Sequence, residues 1–322
     1  MDYYPAMDIQ CQEFVKERTT LLAIALLSLA LAGCWNGRVL IAVEQPFWAS
    51  RDGDRLLRWP LERAALTRGY VPRVLLMGPQ TDPKVRLLQE LAVRRYRSAV
   101  VGPLLSLESG IFASSSPQTR FLLLDDPSPL QPPANAVRLV FDREAAFRDA
   151  GRAAAISLRA EAGGTAVSGL SSRIVVLLSA HPTATQRELD AFTSGVARAL
   201  DGGGPLVRRI ADPVDRVSLK NAIDQMRREG AEFFLLLLGV PDSWCLEIMR
   251  GAGGSAIVTD WYASGALPGQ VFLSIETDIP GAVARFLSEA KPSGSPVVGA
   301  ARLVAGQARP VPSEVPVEAR RP

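Results

Sequence analysis

The sequence predicts an α/β protein built as two Rossmann-like lobes joined by a hinge. Three observations carry this. From residue 38 to about 290, short runs rich in Val, Ile and Leu alternate with longer segments of helical spacing. Most of the short runs are continuous rather than alternating, as expected of parallel strands covered on both faces. The rhythm breaks at a Pro-rich link, Asp126–Asn135, and at a Gly/Ser stretch, Ala162–Ser172, so that two blocks of comparable size stand side by side.

The elements follow in order. Val39–Val43 reads as the first strand, and Asp54–Arg68 as a helix with apolar residues at three- and four-residue steps. Strand Val74–Met77, helix Pro83–Arg95 and strands Ser98–Val101, Phe121–Leu124 and Val137–Phe141 complete the first block. Helix Arg143–Ala162 opens the second, followed by strand Ile174–Ser179 and helix Thr185–Leu200, whose stripe is Leu189, Phe192, Val196 and Leu200. Strand Leu206–Ile210, helix Pro213–Glu229, strand Phe233–Leu238, helix Ser243–Gly251 and strand Ala256–Thr259 continue it. Through strand Val271–Ile275 and on to Glu289 the chain is expected to return to the first block. The N-terminal lobe is thus 38–142 plus about 271–308, and the C-terminal lobe 143–270. The Pro, Ser, Ala and Arg content of 309–322 predicts no fixed structure.

Residues before 38 belong to neither block. Leu21 to Ala32 is an apolar run behind Lys16 and Arg18, closed by Leu31-Ala-Gly-Cys34 and followed at once by polar sequence. The run is shorter than the roughly 20 residues that span a bilayer, so it reads as the core of a cleaved signal. The stretch resembles a bacterial lipoprotein signal. That resemblance implies removal of residues 1–33, a lipid on Cys34, and a place in the cell envelope, anchored to a membrane and facing the periplasm. A cysteine closing a core helix is the competing reading. The acidic residues Asp2, Asp8, Glu13 and Glu17 are unusual ahead of such a run.

Composition narrows the chemistry. The net charge of the 322 residues is +3, with charges interspersed, which gives no reason to expect nucleic acid as a partner. Of the three cysteines, Cys11 goes with the signal and Cys34 takes the lipid, leaving Cys245. One histidine and one remaining thiol argue against a zinc site. Gly-x-Ser-x-Gly, a P-loop and a Gly-x-Gly-x-x-Gly after a strand are all missing from the sequence, so no enzymatic activity is expected and no cofactor is called for. Gly202-Gly-Gly204 follows a helix and precedes a strand, as a turn does.

In open α/β sheets ligands sit beyond the carboxyl ends of the strands, so the residues just after each strand are the candidates. Phe47 and Trp48 follow the first strand and offer aromatic faces to a sugar ring or base, with core packing as the competing use. Asp125 and Asp126 follow Phe121–Leu124 and suit a ligand hydroxyl or a turn. His181 follows Ile174–Ser179, ahead of a helix start at Thr183 or Thr185. Asp242, Ser243 and Trp244 follow Phe233–Leu238. Asp260 and Trp261 follow Ala256–Thr259, and a carboxylate there can accept two hydroxyl hydrogens from a diol.

Several stretches resemble the basic membrane protein family of purine-nucleoside-binding lipoproteins, within the type I periplasmic solute-binding superfamily. They are Phe141-Asp-Arg-Glu-Ala-Ala-Phe-Arg-Asp-Ala-Gly151, Ala191-Phe-Thr-Ser-Gly-Val196, Arg228-Glu-Gly-Ala-Glu-Phe-Phe234, Ile257-Val-Thr-Asp-Trp261 and Val271-Phe-Leu-Ser-Ile-Glu-Thr-Asp278. The likeness covers nearly all of 38–290. It implies a lipid-anchored receptor that closes two lobes on a small polar ligand, nucleoside first and sugar second, and delivers it to a membrane permease of the ABC type. It also implies a sugar-binding role for Asp260. Two departures weigh against this: Arg51-Asp-Gly-Asp-Arg55 stands where the family has Asp-Asp-Lys-Ser-Phe-Asn, and Thr277 stands where a ligand-contacting lysine is expected. Gln45-Pro-Phe-Trp48 is more similar to sugar-binding relatives. The alternative is a degenerate binding fold with a structural or signalling role and no transported ligand.

Overall fold

The computed structural model describes residues 36–78, 82–125, 131–163, 169–179, 184–260, 269–289 and 297–318. The segment 1–33 read above as a signal, Cys34, Asp126, His181 and Trp261 lie outside them. Eleven strands form one hydrogen-bonded order, β2-β1-β3-β4-β5-β11-β10-β9-β8-β6-β7. The first half comprises β1 (Gly37–Glu44), β2 (Tyr70–Met77), β3 (Ser98–Val101), β4 (Arg120–Leu124) and β5 (Ala136–Asp142). The second comprises β6 (Ile174–Leu178), β7 (Leu206–Arg209), β8 (Phe233–Leu237), β9 (Ser255–Thr259) and β10 (Val271–Thr277). Within each half all pairings are parallel. Each half has the order second, first, third, fourth, fifth strand, so the two are topological repeats.

Strand β11 (Val297–Ala305) joins them. Its first residues pair parallel with β5 and its last ones antiparallel with β10. Ala300 is opposite Asp142, the last residue of β5, and Ala301 is opposite Thr277, the last residue of β10. The carboxyl ends of both half-sheets therefore meet at the middle of β11, one set of strands pointing up and the other down. A cleft between the halves is a direct consequence of this register. β11 also covers the inner edges of both half-sheets, leaving β2 and β7 as the outer ones; Arg208 and Arg209 on β7 keep that edge charged.

Helices α1 (Gln45–Ser50), α2 (Gly53–Leu56) and α3 (Arg58–Leu66) link β1 to β2. α4 (Pro83–Val93), α5 (Pro103–Ser106) and α6 (Ser109–Ser115) complete the first half. α7 (Glu144–Glu161), α8 (Gln186–Ala199), α9 (Arg216–Arg228) and α10 (Asp242–Ala252) belong to the second, and α11 (Ile279–Ser288) packs back on the first. Their ends follow local chemistry. Asp82 caps α4 ahead of Pro83, Thr185 and Glu188 form a capping box on α8, and Asp215 caps α9. The short α1, α5 and α6 carry too little periodicity to stand out in the sequence.

The α7–α8 contact shows why two glycines are where they are. A Cβ on Gly151 would lie 2.3 Å from the Phe192 carbonyl oxygen, and one on Gly195 2.0 Å from that of Arg148. The helices approach backbone to backbone there, and the small face Ala146, Ala150, Ala153 and Ala154 is wholly buried.

Among the described residues the chain crosses between halves at Asp142–Glu144, at Thr277–Ile279, and within β11. The return expected over Val271–Glu289 is divided. β10 stays in the second half-sheet beside β9, while Ile279, Ala282, Val283 and Phe286 of α11 join the first-half core with Leu57 and Leu61. Residues 309–318, whose composition suggests no fixed structure, lie against the second half. Val315 is buried there, and Arg309 bonds Glu161 at 2.6 Å and Glu232 at 2.9 Å while covering the Phe233 ring. One apolar anchor and one arginine with three partners hold a segment that composition alone marks as loose.

Candidate functional site

The cleft is organised by two aspartates in equivalent places of the two repeats. Asp125 directly follows β4 and Asp260 directly follows β9, the fourth strand of each half. Both have left-handed backbone, φ 48° and 51°, which aspartate tolerates better than most residues. Asp125 N–H donates to the Leu139 carbonyl at 2.7 Å, and Asp260 N–H to that of Ile275 at 2.8 Å. In each case Oδ1 faces the fifth strand. Asp125 accepts a long bond from Phe141 N–H at 3.5 Å, and Asp260 accepts from Thr277 N–H at 2.9 Å and its hydroxyl at 2.5 Å. In each case Oδ2 meets a guanidinium at 2.9 Å, Arg143 for Asp125 and Arg51 for Asp260.

The two arginines tie the halves together. Arg51 follows α1 in the first half and reaches Asp260 in the second with Nε at 3.1 Å and Nη2 at 2.9 Å. Its guanidinium lies 4.1 Å from the Phe47 ring centroid. Arg143 stands at the first crossing. It holds Asp125 of the first half, and its Nε donates to Glu188 of the second at 2.6 Å. Burial opposes the charge on Arg143, but Asp125, Glu188 and Asp260 outweigh it and push its pKa above the ordinary arginine range.

The segment after α1 also fills cleft space. Ser243 donates to Asp52 at 2.9 Å across the halves, and Leu56 sits in the second-half core with Val240 and Leu246. Beside them Asp242 is buried with Oδ2 lacking a hydrogen-bond partner. Burial, with Asp260 and Asp52 adding to it against Arg51, raises its pKa well above the usual carboxylate value. Glu44, at the end of β1, is likewise raised by burial, although Leu105 N–H donates to it at 2.5 Å.

Open volume lies on the other side of the crossing. A groove of about 680 Å³ runs between the ends of β3–β5 and the starts of α7 and α8. Leu104, Leu107 and Phe141 give it apolar walls, and Asp125, Arg143 and Glu188 a polar floor. Among the described residues, no group of three His, Cys, Asp or Glu side chains is placed to hold a metal ion.

The residues marked in the sequence divide accordingly. Asp260 is at the cleft, but it is 1% exposed and its oxygens are taken by four donors from Arg51 and Thr277. Phe47 is half-buried with Arg51 over its face. Trp48 is turned into the first-half core with Leu57 and Leu61, where its indole lies on Gly53; a Cβ there would be 2.3 Å from the ring. Ligand stacking on Trp48 is therefore replaced by core packing, because the chain turns into α1 directly after β1. Arg51, Arg143 and Glu188 were missed as site residues. The signal available for Arg143 was its position one residue past β5.

Comparison with known proteins agrees with this architecture. No protein-family model matches the chain, and no curated protein matches it in sequence. Solved structures do match in fold. An ABC transporter solute-binding protein from Aeropyrum pernix K1 is 18% identical, with a TM-score of 0.63 over 82% of this chain and 73% of that one. A transcriptional activator of the comK gene from Bacillus halodurans is 16% identical at a TM-score of 0.61, over 87% and 93%. A Caulobacter myo-inositol binding protein is 15% identical at 0.58, over 83% and 93%. The chain has the two-lobed fold of type I periplasmic binding proteins, a fold that serves both receptors and regulators.

Proposed function

We propose that this protein is the solute-binding receptor of an ABC-type uptake system, taking a small polyhydroxylated ligand between its two halves. The observation that carries the reading is the groove beside Arg143. The carboxyl ends of first-half strands and the starts of α7 and α8 frame it, and a buried arginine and two buried or half-buried carboxylates line it next to an aromatic ring. Such an array suits hydroxyls, which need both donors and acceptors held in place. Several structural neighbours are named for sugar or polyol ligands, myo-inositol and α-D-tagatopyranose among them. That supports a sugar or polyol ahead of a nucleoside, the first choice implied by the resemblance to the basic membrane protein family. Anchoring through a lipid on Cys34, and a permease as the receiving partner, belong to the same proposal.

A second reading is supported by a specific observation. Arg51–Asp260, Asp52–Ser243 and Leu56 close one side of the cleft with the protein's own side chains. A chain that occupies its own cleft suits a degenerate binding fold with a structural or signalling role.

One experiment separates the two. Mass spectrometry of small molecules released from the purified protein, followed by thermal shift with panels of sugars, polyols and nucleosides, identifies the ligand class. A hit from any panel supports the receptor reading. No released molecule and no shift supports the second. Lipidation is tested by intact mass: Cys34→Ser should abolish a lipid-sized increment that the unaltered chain carries.

A further inference from the structure

Asn36 is the first described residue, at the amino end of β1 and so at the end opposite the cleft. It is pinned there. Its N–H donates to the Gly69 carbonyl at 2.5 Å, its side-chain amide to that of Arg68 at 2.8 Å, and its own carbonyl accepts from Arg97 at 3.2 Å. Arg97 N–H in turn donates to the Arg38 carbonyl at 3.0 Å. The surface around this point carries Arg38, Arg68, Arg94, Arg95 and Arg97, all exposed. Arg94 pairs with Glu90, which also holds Arg73. Among the described residues no carboxylate pairs with Arg38, Arg68, Arg95 or Arg97. Between these charges stand Leu66, Val71 and Val93, exposed by 40%, 43% and 80%. Among the described residues, the acidic side chains near this end include Glu90, already engaged, Glu62 one turn before the end of α3, and Glu289 on the far side, near the start of β4.

We propose that this surface rests on an anionic lipid bilayer. Guanidinium groups suit phosphate headgroups, and the apolar side chains between them can enter the interface. The chain outside the described residues points to the same occupant. It arrives at Asn36, two residues after Cys34, and holds the apolar run Leu21–Ala32. Whatever membrane attachment that segment makes is delivered to the arginine-rich end. The inference rests on the anchored reading for which membrane is met; the charge pattern stands without it. One consequence concerns orientation. With this end on lipid, the cleft faces away from that bilayer, so lying on lipid and docking on a permease in the same membrane are alternative states.

The test uses the chain beginning at residue 34 with Cys34→Ser, so that no acyl chain contributes. It retains every strand and all four buried clusters of the fold. Sedimentation is measured with vesicles of phosphatidylcholine and of phosphatidylcholine mixed with phosphatidylglycerol. Binding is expected to the anionic vesicles only and to weaken with added salt. Each arginine near an anionic surface is worth roughly fivefold in partitioning. The triple variant Arg38→Gln, Arg68→Gln, Arg95→Gln should therefore lose on the order of a hundredfold. None of the three side chains has a described partner, so its melting temperature should be unchanged. A control removes the same charge elsewhere: Arg148→Gln, Arg152→Gln, Arg198→Gln, around the outer groove between α7 and α8. It should bind nearly as well as the parent. Absence of vesicle binding, undiminished binding by the first triple variant, or an equal loss in the control would each overturn the proposal. A lipid-sized mass on Cys34 is a separate observation, so failure here leaves the anchoring question intact.

Discussion

The Arg51–Asp260 pair makes a sharp mechanical prediction. Asp260→Asn keeps the shape of the side chain and its acceptor for Thr277, but turns an amide N–H₂ toward Arg51. The guanidinium, 8% exposed, then has only the Phe47 carbonyl at 3.4 Å, the Ser50 hydroxyl at 3.2 Å and the Phe47 face. Removing one partner of a buried ion pair costs about 3–5 kcal/mol, and these remaining contacts place the cost near the lower end. The pair spans the two halves, so the protein has a second way out: opening the cleft lets water reach Arg51. Urea unfolding measures the first response and the X-ray scattering radius of gyration the second. The variant should either lose about 3 kcal/mol or lose less and expand. Arg51→Met should relieve part of the defect when added to Asp260→Asn, giving a coupling of about 2 kcal/mol in the double-mutant cycle. Single variants that change neither stability nor size, with no coupling, would refute the claim that this pair holds the halves together.

Other expectations follow from the same structure. Gly195→Ala should cost about 1–3 kcal/mol in urea unfolding, since the new methyl group meets the Arg148 carbonyl in a backbone-to-backbone contact. Arg309→Ala should loosen 306–318, read as faster amide exchange there, and cost on the order of 1 kcal/mol through loss of the Phe233 and carboxylate contacts. Asp242 has a folded-state pKa raised by burial, so the folded protein holds that proton more tightly than the unfolded chain does. Its contribution to stability is present at low pH and is lost as pH rises from the ordinary aspartate range through the raised value. Asp242→Asn should therefore gain on the parent as pH rises over that window; a stability difference that is flat with pH would contradict the assignment.

The fold was legible because burial on both faces leaves an unbroken apolar run. Phe121–Leu124 and Phe233–Leu238 could be placed without knowing any partner, and β4 and β8 begin and end within a residue of them. The site was less legible, for a physical reason. A position just past a strand is visible in sequence, whereas the direction of its side chain depends on the next few backbone angles. Asp260 and Trp48 were equally well placed at strand ends. The left-handed turn at Asp260 aims its carboxylate along the fifth strand of its half, while the immediate turn into α1 rolls Trp48 into the core. Arg51 and Asp260 are 209 residues apart, and nothing local to either one announces the other.

The repeat symmetry explains why the two aspartates matter together. In each half, the aspartate after the fourth strand bonds the end of the fifth and offers its second oxygen to an arginine. The symmetry is broken by where that arginine comes from. Arg143 is supplied by the crossing itself, where opening displaces the chain least, and it holds one carboxylate in each half. Arg51 comes from the opposite half, so its bond exists only while the halves are close. A ligand in the groove beside Arg143 would meet a preset site, whereas the Arg51 side would respond to closure. Closure in this protein is thus stabilised by its own side chains, and a ligand would add to that state rather than create it. A titrated ligand should accordingly produce a smaller scattering change in the parent chain than in Asp260→Asn, where the built-in latch is gone.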